Sequence, residues 1–395
     1  MSLAPDGRAS LRVALNARSA NLAIMDGPGE SLRNLSRALI TTNPGHALDL
    51  LTDARLRYDL PPAGRVSVRV LRPFPIGNRV LRSVLGADPW YRARVCLTAD
   101  WRRWSAYLQS AHEPTPALRG TRHVAIVHDL AFMQPAAKRN FDATTRHFLD
   151  CWTAENVHRA DRLIAVSDWV RDEIGRVYGI SAERISVAAH GVDRTRFRPD
   201  HDPATVRAVH EQHGIEVPYV VFVGTLQPRK NLGTLVTAFA RARAQGLEQR
   251  LVLVGRKGWR YEDVAAVIGD RDQDAVQLVG EIASAELPLL LAGASAFVSV
   301  ALDEGFGMPA LEALASGVPV VASNQAGLAQ AVGDAGLLVD PMNVDAIAHA
   351  LLRITQDAAL RESLRGRGLA RAAECTWDRA ARNVWEALEL ACASS

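Results

Sequence analysis

The chain has 395 residues, of which 48% are hydrophobic and 23% charged, and a formal net charge of +3. That length suggests two domains of about 100–200 residues each, and the composition excludes a disordered chain, a collagen-like chain and a small disulfide scaffold. The charge is too even to indicate nucleic acid, no apolar run approaches the roughly 18 residues that cross a bilayer, and residues 1–10 show no apolar core followed by a cleavage site, so no secretory signal is expected.

In chain order, β-branched runs predict strands at 12–15, 66–70, 124–126, 162–166 and 185–187, with helical patterns at 31–41, 139–158 and 168–178. The segment Phe197-Arg198-Pro199-Asp200-His201-Asp202-Pro203 is polar, holds two prolines and lacks periodicity, which marks a linker. Beyond it, strands are predicted at 219–223, 251–254, 276–278, 296–300, 318–322 and 337–339, separated by helices, and the chain closes in helical stretches from 343 to about 391. Strands alternating with helices are the mark of βαβ units. The expected fold is α/β, with two doubly wound domains and ligands at the carboxyl ends of the strands. A cleft between the two facing domains is the default site. The four cysteines, Cys96, Cys151, Cys375 and Cys392, form no CxxC pair; they predict neither a metal site nor a disulfide framework and fit a reducing, cytoplasmic setting.

The sharpest chemical feature is Asp303-Glu304-Gly305-Phe306-Gly307-Met308-Pro309, which follows the strand at 296–300 and opens a short helix. Pro309 suits the first helical turn and Gly317 the stop. Gly305 and Gly307 let backbone N–H groups approach a ligand, and the helix N-terminus favours a phosphate. Glu304 and Glu312 can accept hydrogen bonds from the hydroxyls of a sugar or ribose. The competing reading is a core helix whose Glu312 pairs with an arginine.

A second feature, Gly224-Thr225-Leu226-Gln227-Pro228-Arg229-Lys230-Asn231, joins a strand to a helix. Adjacent Arg and Lys at such a junction suit a diphosphate, and Asn231 can cap the helix. Only Lys138, Lys230 and Lys257 are lysines, which weakens the reading of Lys230 as surface decoration. His128 and Asp129 end the apolar run 124–127; on composition a structural histidine is favoured there. Gly27-Pro28-Gly29-Glu30 precedes a helix and suits either a plain loop with a helix cap or close approach to a phosphate or acceptor. The acidic run 270–274 contains two DxD patterns but precedes a strand, away from the expected site, and is read as a solvated loop. Residues 65–103 hold nine arginines together with Phe74, Trp90 and Trp101, with Trp104 next in sequence, which suits an anionic membrane surface or a solvated helical face.

Taken together, Glu304-Gly305-Phe306-Gly307-Met308-Pro309, Glu312-Ala313 and Gly317-Val318-Pro319-Val320-Val321 resemble the E-x7-E signature of the retaining glycosyltransferases of family 4. Gly224 with Pro228-Arg229-Lys230-Asn231 resembles that family's phosphate loop, and His128-Asp129 its N-domain histidine motif. Ala165-Val166-Ser167, Gly191-Val192-Asp193, Leu253-Val254-Gly255 and Thr376-Trp377 match further landmarks in order. The resemblance implies a GT-B fold: an acceptor-binding domain at 1–198, a nucleotide-sugar-binding domain at 199–375, and a helix at 376–395 crossing back to the first domain. It assigns catalytic positions to His128 and Glu304. Gly224, Arg229, Lys230, Gly255, Gly305, Phe306, Gly307 and Glu312 would bind the nucleotide sugar, with Glu304 on sugar hydroxyls, Glu312 on ribose, Arg229 and Lys230 on the diphosphate, and His128 near the reacting carbon. Gly27 and Gly29 form a candidate acceptor or phosphate loop.

Two positions depart from the pattern. Thr225 stands where relatives often carry a basic residue, so the diphosphate is expected to lean on Arg229 and Lys230. Glu30 stands where relatives often have Arg or Lys. The implied activity is transfer of a hexosyl group, with mannose from GDP-mannose as the first expectation, to a saccharide acceptor linked to polyprenyl diphosphate. No metal or other cofactor is expected, and a peripheral position on the inner face of the cytoplasmic membrane is. The alternatives on this scaffold are a nucleotide-sugar epimerase and a non-catalytic nucleotide-sugar-binding subunit.

Overall fold

The computed structural model describes residues 10–22, 27–43, 45–62, 65–71, 89–134, 141, 143–262, 266 and 275–393. The acidic run 270–274 and residues 72–88 of the arginine-rich stretch lie outside the described residues. The chain forms two compact units. The first comprises Met1–Leu130, Thr144–His190 and Trp377–Ser395; the second comprises Ala131–Ala143 and Gly191–Thr376.

In the first unit the strands are β1 (Arg12–Asn16), β2 (Ala47–Thr52), β3 (Val66–Val70), β4 (Ala106–Ser110), β5 (Arg122–Val127), β6 (Arg162–Ala165) and β7 (Ile185–Val187). They pair in parallel in the order β3-β2-β1-β4-β5-β6-β7. Connecting helices are α1 (Gly27–Thr41), α2 (Pro89–Arg102), α3 (Ala143–Arg159) and α4 (Asp168–Tyr178). The ends of α4 follow from sequence: Ser167 Oγ accepts from Val170 N–H, and Gly179 closes the helix at φ +67°.

The second unit contains α5 (Pro203–His213), β8 (Tyr219–Val223), α6 (Leu232–Ala244), β9 (Arg250–Val254), β10 (Val276–Gly280), α7 (Leu287–Ala292), β11 (Ala296–Ser299), α8 (Met308–Ala315), β12 (Val320–Ser323), α9 (Ala326–Val332), β13 (Gly336–Val339), α10 (Val344–Gln356) and α11 (Ala358–Glu374). Its sheet, also parallel, runs β10-β9-β8-β11-β12-β13. The last helix, α12 (Trp377–Ala393), belongs to the first unit. There Trp385 Nε1 donates to Leu39 O at 3.2 Å and Asn383 Nδ2 to Val187 O at 3.0 Å.

Several boundaries differ from the sequence reading for physical reasons. Helix α1 begins at Gly27, so the glycines expected in a loop form its first turn, and Gly29 is buried. Strand β12 begins at Val320 instead of 318, because Val318 N–H is used by Ala313 O to close α8 and Pro319 has no N–H. The chain changes unit at His190–Gly191, ahead of the 197–203 segment. In that segment Phe197 is buried and Asp202 caps α5 through Thr205 N–H at 3.1 Å.

Strands β2 and β4 were not legible, because each carries a polar residue at a buried position. Asp49, 3% exposed in β2, accepts from Trp104 Nε1 at 2.8 Å and from Ser67 Oγ, with the Arg69 and Arg12 guanidinium groups at 3.7 and 3.8 Å. Gln109 of β4 is fully buried and donates to Asn156 Oδ1 at 2.6 Å. Asp49→Ala removes the acceptor of a buried indole N–H and should destabilise the first unit by about 2–4 kcal/mol. Urea unfolding followed by tryptophan fluorescence checks this; a loss under about 0.5 kcal/mol would show that the carboxylate is not holding β2 and β3 together.

Candidate active site

In the second unit the chain runs from β8 outward to β9 and β10, then returns to place β11 on the other side of β8. The carboxyl ends of β8 and β11 are therefore the switch point of the sheet, where doubly wound folds hold ligands. The two loops singled out by sequence, 224–231 and 303–307, leave from these two neighbouring strands. Leu302 N–H donates to Arg229 O at 2.9 Å, which ties the loops together through backbone.

Gly224, at φ +155°, sits directly beneath Gly255, at φ +144°: a Cβ added at Gly255 would lie 2.0 Å from the Gly224 carbonyl oxygen. Only glycine permits that approach. Leu226 N–H then donates to Arg256 O, and Gly258 N–H to Leu226 O, each at 2.9 Å, so the loop after β9 zips onto the loop after β8. The 303–307 loop is backed in the same manner by α9. Gly327 N–H donates to Glu304 O at 2.9 Å, and a Cβ at Gly327 would overlap Gly305 O at 2.0 Å. Gly307, at φ +100°, precedes α8; Phe306 is buried, and Gly317, at φ +71°, ends the segment as its sequence predicts.

Glu304 is the centre of the site. One oxygen, Oε2, accepts from Lys230 Nζ at 2.5 Å and from Arg229 Nη1 at 3.0 Å; that Arg229 nitrogen also donates to Asp303 O at 3.0 Å. The side chains are 18%, 9% and 15% exposed for Glu304, Lys230 and Arg229. Burial alone would raise the carboxyl group, but the two cations override it and hold Glu304 at about 2. The resemblance assigned the acid to the sugar and the two cations to the diphosphate; what the structure shows is that all three are joined to one another. Asn231 does not cap α6 with its side chain: it sits at φ +58°, accepts from Thr234 Oγ1 and donates to Pro341 O at 2.7 Å. Glu312 is half-buried in α8.

His128 lies in the first unit, after β5. It is 6% exposed, and neither ring nitrogen has a hydrogen-bond partner among the described residues. Its ring stands 6.1 Å from that of His112 and 5.9 Å from that of His190. Burial, reinforced by these two neighbours, pushes His128 well below the usual histidine range, and burial takes His190 down to about 3. Both are neutral at physiological pH. Such an imidazole can donate one hydrogen bond and accept another but brings no charge.

The first unit has its own switch point, between β1 and β4, and sequence reasoning passed over its residues. Asn16, the last residue of β1, donates to Glu113 and accepts from Tyr91 O–H at 2.7 Å. Arg18 lies 4.3 Å over the Tyr91 ring and bonds Asp53 at 3.2 Å. The available signal was positional only: polar residues just past an apolar strand.

Two family models match the chain, "Glycosyltransferase Family 4" over residues 25–196 and "Glycosyl transferases group 1" over 206–371. The chain belongs to the family 4 glycosyltransferases, and its two doubly wound α/β units are those of the GT-B fold. Among its relatives, the O-antigen chain mannosyltransferase B of Escherichia coli is 35% identical over 60% of this chain and 62% of its own length. A GDP-mannose-dependent alpha-(1-6)-phosphatidylinositol monomannoside mannosyltransferase of Mycobacterium tuberculosis is 35% identical over 55% of this chain and 59% of its own. The chain thus matches about three-fifths of the length of these curated relatives. A sucrose-phosphate synthase from Thermosynechococcus elongatus superposes with a TM-score of 0.73 at 21% identity, covering 98% of this chain and all of that one.

Gly255→Ala should push the Gly224 carbonyl out of place and weaken nucleoside-diphosphate binding by about a hundredfold or more; calorimetric titration checks it, with circular dichroism to confirm that the sheet is intact. The Glu304 ion pairs stabilise the fold fully above the ordinary carboxyl value of 4.5 and lose that contribution as pH falls through about 2. Wild type should therefore lose about 3 kcal/mol more than Glu304→Gln between those two pH values, as read from denaturant midpoints across the range.

Proposed function

We propose that this chain is a retaining hexosyltransferase that moves a sugar from a nucleoside diphosphate to a hydroxyl of a saccharide acceptor. The observation that carries the reading is Glu304, held ionised between Lys230 and Arg229 at the switch point of the second unit. An ionised carboxylate accepts hydrogen bonds from sugar hydroxyls. The adjoining cations and the N-terminus of α8 stabilise the charge that grows on the departing diphosphate, in place of a metal ion. Glu312 binds the ribose. Gly224, Gly255, Gly305 and Gly307 bring backbone close to the phosphates and sugar. His128, neutral and with neither nitrogen bonded among the described residues, contacts the saccharide. The departing phosphate takes the acceptor proton in a same-face displacement, without a covalent glycosyl–enzyme intermediate.

GDP-mannose is the donor we favour, supported by the mannosyl transfer named for the Escherichia coli and Mycobacterium tuberculosis relatives. The phosphatidylinositol mannoside named for the second supports a lipid-linked saccharide acceptor. The first unit suits such an acceptor, since α2 exposes Leu97 (62%) and Trp101 (75%), with the Arg102 guanidinium 4.7 Å over the Trp101 ring. Apolar side chains among arginines suit an anionic bilayer surface, and no helix among the described residues is long and apolar enough to cross a membrane.

Incubating the enzyme with a panel of nucleotide sugars and an oligosaccharide acceptor tests the reaction, with proton NMR reading the anomeric configuration of the product. Retention with GDP-mannose is expected; inversion, or conversion of the donor alone to its epimer, overturns the reading. Glu304→Ala should abolish transfer, and Lys230→Ala should weaken donor binding by about 2–3 kcal/mol. Near-normal turnover in both variants would remove these residues from the site. Flotation with anionic liposomes should fall in Trp101→Glu, and flotation indifferent to anionic lipid content would remove the membrane assignment.

A further inference from the structure

The second unit carries another cation at the same place in the fold. Arg256 follows Gly255 at the carboxyl end of β9, the strand next to β8. Its Nε lies 3.5 Å from Thr225 Oγ1, the side chain that follows Gly224 in the phosphate loop. Lys230 approaches the same dipeptide: its Cε is 3.7 Å from where a Cβ of Gly224 would stand. Two cationic side chains thus approach Gly224–Thr225. The position of Arg256 is fixed by backbone: its carbonyl accepts from Leu226 N–H at 2.9 Å, and the parallel bridge between Leu226 and Lys257 continues the register. A Cβ at Gly258 would meet Thr225 Cγ2 at 2.7 Å, so the two loops are in van der Waals contact throughout.

Lys230 and Arg229 are both engaged by Glu304, whereas no carboxylate among the described residues lies within ion-pair distance of Arg256. Its guanidinium is half-buried, and the hydrogen bond it makes among the described residues is to a threonine hydroxyl. The Lys230–Arg229–Glu304 cluster carries two positive charges against one negative. A sugar diphosphate ester carries two negative charges, and the departing nucleoside diphosphate gains a further one. The cluster alone leaves that charge under-compensated. An arginine beside the loop, with no carboxylate partner among the described residues, is chemically suited to phosphate oxygens.

We propose that Arg256 binds the diphosphate of the donor, beside Lys230, as a phosphate-contacting residue of this site. The inference rests on the donor-site reading above and adds to it a residue from the loop after β9.

The test titrates GDP, UDP and guanosine into full-length wild type, Arg256→Ala and Arg256→Lys by calorimetry, at low and high salt. Binding of the diphosphate by Arg256→Ala should fall about tenfold or more, with a shallower salt dependence, while guanosine binding is unchanged and Arg256→Lys recovers part of the loss. Thermal midpoints of the free variants should match wild type, since the side chain is half-exposed. Diphosphate binding equal to wild type in Arg256→Ala overturns the proposal and leaves the donor site standing. An equal loss for guanosine and GDP also overturns it, because it would show that Arg256 only supports the loop. Failure of wild type to bind either diphosphate overturns the donor-site reading and this proposal with it.

Discussion

Glu304 meets Lys230 and Arg229 across the join between β8 and β11, bringing together residues 74 and 75 positions apart in the chain. A buried carboxylate needs compensation, and two buried cations need it as much. The sheet order supplies it, because β8 and β11 are neighbours only through the reversal at the centre of the sheet. The same contact keeps the carboxylate ionised.

Backbone holds the loops around this cluster in place. Gly255 against Gly224, Gly327 against Gly305, Leu302 N–H on Arg229 O and Gly327 N–H on Glu304 O fix each loop without recruiting functional side chains. Glycine serves here because two main chains approach closer than any Cβ allows. The side chains of Arg229 and Lys230 are thereby left to meet Glu304.

Much of the second unit was legible in sequence, because its strands are rich in Val, Leu and Phe and followed by glycine at several ends, and because Pro309 and Gly317 mark both ends of α8. The acid and the two cations were legible as types at fixed positions. Their mutual pairing was not, since it depends on which strands adjoin. In the first unit β2 and β4 escaped notice because Asp49 and Gln109 break the apolar pattern; both are satisfied by residues distant in sequence, Trp104 and Asn156. The cluster of Asn16, Tyr91, Glu113 and Arg18 was hidden for the same reason. Asn231 looked like a cap by residue type, yet its left-handed backbone turns the side chain toward Pro341.

The placement of α12 bears on biosynthesis. Its Ala381, Val384, Trp385 and Leu388 are buried in a unit whose other residues all precede Gly191. A ribosome thus releases every strand of that sheet long before the helix that covers part of it. Residues 191–376 emerge in between and hold everything their own core requires apart from the short piece 131–143, which is already available. Vectorial synthesis therefore completes the later-encoded half first, and the earlier half waits with an uncovered apolar face for a segment nearly 200 residues downstream of β7. Chaperone dependence during translation is expected to concentrate on that waiting sheet.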